Sequence, residues 1–193
     1  MKLKNKYFVL RHGQTIYQTK KREIIYPPLP ENSDVHLTKI GKDQVKKIAQ
    51  TIKKEGIDLI FSSDFFRTKE TAEIVAKALG KKIIFDKRLR DVNLGVYQGK
   101  AKSLYYKDFP RGSSKMFFQK PKGGESWLDC QKRMINFLKE IDKKYQGKKI
   151  LIVSHGDPLW LLEGAVKKWS IKKLLGMKKS HQTLKNGELR KLN

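Results

Sequence analysis

Four short apolar runs, at residues 6–11, 57–62, 82–85 and 149–154, constrain this chain more than any other feature. Each is a handful of apolar residues bounded by polar ones, as expected of strands covered on both faces. Helical periods lie between them. Strands alternating with helices predict an α/β fold: a three-layer α/β/α sandwich around a mostly parallel sheet. At 193 residues the chain is expected to form one domain spanning residues 1–193.

The helix signals are specific. Thr38 is placed to cap a helix opening at residues 37–41, with Leu37, Ile40, Val45, Ile48 and Ile52 as its apolar positions and Gly56 at its end. Ser63 or Asp64 is expected to cap a second helix, on which Phe65, Ala72, Val75, Ala76 and Leu79 face inward before Gly80 stops it. Ser126-x-x-Asp129 reads as a capping box opening a long helix with Leu128, Met134, Ile135, Leu138 and Ile141 on one face, stopped by Gly147. Pro158 suits a first helical position, with that helix running to about Lys168. Asn186-Gly187 suggests a hairpin over residues 183–190.

Two segments lack a clear period. Residues 16–35 carry Pro27, Pro28 and Pro30 and read as a loop; residues 101–124 read as a short helix to Phe109 followed by irregular chain. Both are expected to be insertions over a site, because long loops in compact domains are commonly functional.

The site is expected where the strands end. Ligands of open α/β sheets bind beyond the carboxyl ends of the strands. The first run ends in Arg11-His12-Gly13, the second leads to Arg67, and the fourth ends in His155-Gly156. Two arginines and two histidines on one sheet edge describe an anion site: a guanidinium matches phosphate oxygens bidentately, and the helix after Gly156 offers free N–H groups. A metal site built on His12, His155 and Asp157 is the competing reading, which the flanking arginine charges oppose.

These residues sit in motifs. The chain resembles the histidine phosphatase superfamily, which includes cofactor-dependent phosphoglycerate mutases, in six stretches in order: residues 10–15, 34–41, 62–72, 89–95, 123–126 and 153–156. The resemblance implies a phosphoglycerate mutase-like fold and, position by position, a set of roles. His12 would be the nucleophile that accepts a phosphoryl group. Arg11, Arg67 and His155 would grip the phosphoryl oxygens, with Gly156 and Gln18 as further substrate-binding positions. Asp91 would protonate the leaving oxygen and then activate water. The family often has glutamate where this chain has Asp91, and Glu125 is a second carboxylate that could serve instead. It also commonly has a tryptophan–asparagine pair where Tyr17-Gln18 stands. With its cations built in, such a pocket implies neither metal nor cofactor.

The activity implied is phosphomonoester hydrolysis on a phosphorylated small molecule. The alternative is mutase-type phosphoryl transfer, although mutases of this kind usually have longer chains with extra segments. A non-catalytic phospholigand- or RNA-binding protein on the same fold is kept alive by the formal net charge of +25. The simpler reading of that charge is lysine spread over solvated helix faces, with nucleic acid drawn only nonspecifically. Tyr17, Tyr26, Tyr105, Tyr106, Phe117 and Phe118 are candidates to line a leaving-group pocket. His36 and His181 are expected to be structural or exposed, and Cys130, the single cysteine, to serve packing. No apolar run is long enough to span a bilayer and the N-terminus does not read as a signal peptide, so a cytoplasmic monomer or homodimer is expected.

Overall fold

The computed structural model describes residues 2–19 and 23–193. In chain order its main elements are β1 (Lys6–Arg11), α1 (Lys39–Ile52), β2 (Leu59–Ser62), α2 (Phe66–Leu79), β3 (Ile83–Phe85), α3 (Lys102–Asp108), α4 (Ser114–Phe118), α5 (Trp127–Lys144), β4 (Lys149–Ser154), α6 (Gly156–Val166), α7 (Ile171–Lys179) and β5 (Leu189–Lys191). The sheet runs β3-β2-β4-β1-β5. All neighbours are parallel except β5, which pairs antiparallel with β1. This is the expected α/β architecture, mostly parallel with one antiparallel edge.

Strand alternation builds two cores. Tyr7, Val9, Phe61, Ile150 and Ile152 face one side, where they meet α5 and α6 through Phe137, Leu138, Leu159 and Leu162. Phe8, Leu10, Ile60, Leu151 and Val153 face the other, where α1 and α2 contribute Val45, Ala49, Ala72 and Val75. Successive side chains of a strand point to opposite faces, so a strand covered on both sides must be apolar throughout. Buried Asp142 ties the N-terminus to α5 by accepting from the backbone N–H groups of Lys4 and Asn5 and from the Tyr7 hydroxyl.

Local differences from the sequence reading have physical causes. Thr38 and the Ser126–Asp129 box cap as expected. The cap of α2 is Phe65 with no side-chain bond, and Ser63 reaches its N–H from two residues earlier at 3.4 Å. Ile40 is 60 % exposed, because the buried stripe of α1 runs through Gly41, Val45, Ala49 and Ile52. α5 ends at Lys144, before Gly147, and α6 begins at Gly156, which puts Pro158 third in the helix. The first-turn N–H groups have no intrahelical acceptor, so the proline still costs no bond there.

Two elements in the C-terminal third were not foreseen as they stand. α7 falls in a lysine-rich stretch with one buried residue, Leu174, too little apolar surface to give a period. The Asn186-Gly187 turn closes with Glu188 N–H donating to Lys185 O, but the strand after it pairs with β1 and makes no hairpin with residues 183–185. Gly187 has positive φ and Asn186 does not, whereas a type I′ hairpin turn needs both. In the 101–124 segment, α4 occupies part of the stretch read as irregular.

Candidate active site

The register of the sheet sets the site. Arg11 pairs with Ser154, and Ser62 with Val153, so β1, β2 and β4 end side by side. One residue beyond, the His12 N–H donates to Ser154 O at 3.1 Å and the Ser63 N–H to Val153 O at 3.1 Å. His12, Ser63 and His155 thus leave the sheet together. The His12 and His155 rings lie edge to face, with centroids 5.3 Å apart.

His12 is fixed through one ring nitrogen and His155 through both. His12 Nδ1 contacts Gly13 O at 2.7 Å. A carbonyl can only accept, so Nδ1 carries the proton and Nε2 keeps its lone pair. Arg67 Nε, which can only donate, lies 3.2 Å from His155 Nδ1, so His155 donates from Nε2 to Ser63 Oγ at 3.0 Å. Burial, with Arg67 and Arg11 adding to it, holds the His12 imidazole well below its ordinary range. Burial and then Arg67 do the same to His155. Both rings are neutral near pH 7.

Arg67 is fully buried in the first turn of α2. Its helix also positions the loop carrying His12. Thr71 Oγ1 accepts from the Gly13 N–H at 3.2 Å, and Glu70 accepts from the Leu37 N–H at 2.7 Å while pairing with Lys42 and His36. Positions 67, 70 and 71 share a helical face, so one motif holds an arginine and braces the loop at once. Gly13 and Gly41 meet backbone to backbone: a Cβ on Gly13 would lie 2.4 Å from Gly41 O, and one on Gly41 would lie 2.2 Å from Gln14 O.

Arg11 donates from NH1 to Leu184 O at 2.7 Å, and its Nε is buried without a partner. Its guanidinium crosses Gly156, where a Cβ would stand 3.1 Å from Cζ. An unsatisfied guanidinium donor beside the N-terminus of α6 is an anion cradle. The 183–188 loop supports it, with Asn186 Nδ2 donating to His12 O and the Gly187 N–H to Arg11 O.

Asp91 reaches the same place from the loop after β3. Its Oδ2 is 3.5 Å from Arg67 NH2 and 3.7 Å from His155 Nδ1. Burial pushes its carboxyl up, against the lowering pull of Arg67 and with a further raising effect from Asp157. Glu125 is placed differently. It pairs through both oxygens with Arg133, at 2.6 and 2.9 Å, and accepts from the Asn93 N–H. Arg133 in turn donates to Asp91 O at 3.1 Å and Arg88 O at 2.6 Å, pinning the acidic loop.

A cleft of about 580 Å³ opens beside these groups, lined by Arg11, Gln18, Tyr26, Asp91, Gly156 and Lys178 among others. Gln18 is there, but its Oε1 closes a capping box with Thr15 and its Nε2 donates to the Tyr26 hydroxyl at 2.5 Å. Tyr17, Tyr105 and Tyr106 line the cleft as expected. Phe117 and Phe118 do not: Phe117 is buried against Trp127 and Phe118 is 58 % exposed, while Met116 of the same helix faces the cleft. Residues 23–26 run along residues 99–102 through an Ile24–Ala101 bridge, so the two irregular segments clasp each other.

Asn32, Thr71, Arg133 and Lys178 escaped the sequence reading as site residues. Thr71 could have been found by its spacing from Arg67; the other three come from distant chain and carry no motif. Asp157 pairs with Lys178 rather than with the histidines. Among the described residues no three His, Cys, Asp or Glu side chains gather as a metal-holding group, and no helix is long and apolar enough to cross a membrane. His36 and His181 are exposed, and Cys130 is buried among apolar residues.

Comparison with known proteins gives the family. "Probable phosphoglycerate mutase GpmB" of Yersinia enterocolitica is 32 % identical over 159 residues, covering 80 % of this chain and 71 % of that protein. Mycobacterial glucosyl-3-phosphoglycerate phosphatase, solved with VO3, superposes with a TM-score of 0.80 at 26 % identity, covering 95 % of this chain and 90 % of that one. Phosphoserine phosphatase of Entamoeba histolytica, in complex with 3-phosphoglyceric acid, shares the fold with a TM-score of 0.76 at 24 % identity over 96 % of this chain and 88 % of its own. The model of the histidine phosphatase superfamily, branch 1, matches residues 7–189. This chain belongs to that superfamily.

Proposed function

We propose that the protein is a phosphatase that hydrolyses phosphomonoesters of small molecules through a phosphohistidine on His12. The observation that carries this reading is the His12 ring, neutral and tethered at Nδ1 by Gly13 O with Nε2 left as nucleophile, beside two guanidinium groups. Nε2 attacks phosphorus while Arg11, Arg67 and the Gly156 N–H hold the non-bridging oxygens, and the His155 Nε2–H turns from Ser63 Oγ to donate to one of them. Asp91, whose carboxyl burial pushes up toward its protonated form, gives its proton to the leaving oxygen. As a carboxylate it then takes a proton from the water that attacks phosphohistidine, which frees phosphate and restores His12. Asp91 is favoured over Glu125 because both Glu125 oxygens are engaged by Arg133. Gln18 is left a secondary role, since its amide already serves Thr15 and Tyr26. The chain works in this reading as one domain, with residues 16–19, 23–35 and 101–124 shaping the leaving-group side and residues 20–22 of the expected insertion lying outside the described residues.

Phosphoryl transfer between two positions of a phosphoglycerate is the second reading, supported by the mutase name of the relatives. Hydrolysis is favoured because the cations of the outer cleft that would meet a substrate carboxylate are already paired, Lys178 with Asp157 and Lys102 with Glu23. The test is trapping of labelled phosphate from a generic aryl phosphate by an alkaline denaturing quench, in which the P–N bond survives, with phosphate release and phosphoglycerate isomerisation followed in parallel. Label on His12 with phosphate release supports hydrolysis; isomerisation without release supports transfer. No label and no turnover in chelator-treated buffer rejects both.

A further inference from the structure

Arg67 is the group that a phosphoryl oxygen must reach, yet it, His12 and His155 are 0 %, 1 % and 0 % exposed. Part of the guanidinium is already taken by the chain itself. Arg67 NH1 donates to Asn32 O at 3.0 Å and to Asn32 Oδ1 at 2.9 Å. The Tyr26 ring lies 4.1 Å over the guanidinium, and the Tyr26 hydroxyl is held by Gln18 and Thr15. Residues 28–31 are exposed and Asn32, next in line, is 4 % exposed, so an otherwise solvated turn drives one amide inward onto the arginine. Packing does not require this, because Asn32 is polar and both of its carbonyl oxygens are spent on one nitrogen.

We infer that Asn32 is an internal ligand of the phosphoryl subsite: its two carbonyl oxygens occupy Arg67 NH1 beneath Tyr26, and a phosphoryl oxygen binds by exchanging with them. The inference rests on the phosphoryl site proposed above. Two carbonyls satisfy the NH1 donors, which Asp91 and His155 do not reach and which would otherwise be left unsatisfied in a buried guanidinium. They are neutral, so a phosphate dianion, whose hydrogen bonds to arginine are charge-assisted, displaces them. The exchange lowers apparent phosphate affinity by the fraction of molecules in which Arg67 is released.

The experiment is calorimetric titration of the full chain with inorganic phosphate, for wild type, Asn32→Ala and Asn32→Asp, with melting temperature recorded with and without phosphate. Asn32→Ala removes Oδ1 and keeps the main-chain carbonyl, so one of the two competing oxygens is lost; it should bind phosphate about tenfold more tightly and gain more melting temperature from it than wild type does. Asn32→Asp places a carboxylate on Arg67 and should bind about tenfold more weakly. Opposite signs at one position do not arise from general damage to the fold. Equal affinities, or weaker binding by both variants, would overturn the inference. The readout is binding rather than turnover, so the two proposals fail separately. The predicted affinity shifts without phosphohistidine would leave the exchange standing and remove the phosphatase reading. Phosphohistidine without the shifts would do the reverse, and no phosphate binding by any form would remove the exchange.

Discussion

The carboxyl edge of the sheet and the irregular chain that lines the cleft make a sharp contrast. At the edge, His12, Arg67 and His155 are buried, and their positions follow from three paired strands and one helix. On the cleft side, Tyr26, Asp91, Met116 and Lys178 arrive from four separate stretches joined by short-range clasps such as the Ile24–Ala101 bridge. The edge is held by many mutually supporting contacts and presents one chemistry. The lining is held by few and presents shape and charge. In the proposed reading, reaction type is a property of the edge, and substrate choice a property of the lining.

The largest test removes the edge. His12→Ala should lower kcat on any phosphomonoester by roughly 10⁴-fold or more, as loss of a nucleophile does elsewhere. Residual turnover above a hundredth of wild type would mean that another group supplies the nucleophile. Asp91 stands on the boundary and tests whether the two regions act together. Asp91→Asn should cost roughly 10²- to 10⁴-fold in kcat/KM with alkyl phosphates and far less with p-nitrophenyl phosphate, whose leaving group needs no proton, while kcat falls on both because water loses its base. Wild-type kcat/KM should rise with pH through the depressed His12 value and fall through the raised Asp91 value, and Asp91→Asn should lose the alkaline fall.

Gly41→Ala probes the rigidity of the edge from outside the chemistry. The new methyl meets Gln14 O, so thermal unfolding should show a loss of about 1–3 kcal/mol, with activity falling by a similar factor on every substrate. A substrate-dependent loss would blur the division drawn above. Lys178→Met is the smallest and most selective change. It frees Asp157 in the lining and should alter the ratio of kcat/KM between two phosphate esters by up to about tenfold while leaving inorganic phosphate affinity within twofold. The buried histidines add a stability signature. Their folded values lie below the ordinary 6.5, so the unfolded chain takes up protons that the folded one refuses. Stability should be full above that pH and decline as pH falls below it, a decline measurable by denaturant titration and reduced in His12→Ala.

How much could be read in advance followed the same division. The apolar runs, the Thr38 cap and the Ser126–Asp129 box were legible because each is a local pattern with a local cause. So was the meeting of Arg11, His12, Arg67 and His155, since parallel strands must end on one edge. The grip of Asn32 on Arg67, the pinning of the Asp91 loop by Arg133 and the arrival of Lys178 on α7 were not legible. They join positions that share no period and no short spacing. Phe117 and Phe118 show the cost of guessing there, for a short helix turned Met116 to the cleft instead.

The Arg11-His12-Gly13 stretch thus supplied an imidazole and a guanidinium at a strand end, and residue type fixes what those groups can do. Sequence also determined that they sit at the end of a doubly covered strand. Only the tertiary structure decided that the His12 Nε2 lone pair is left free, that burial keeps both histidines neutral and pushes the Asp91 carboxyl up, and that Arg67 is held by Asn32. Protonation and hydrogen-bond partners depend on desolvation and distance, and those exist once distant parts of the chain have closed around one another.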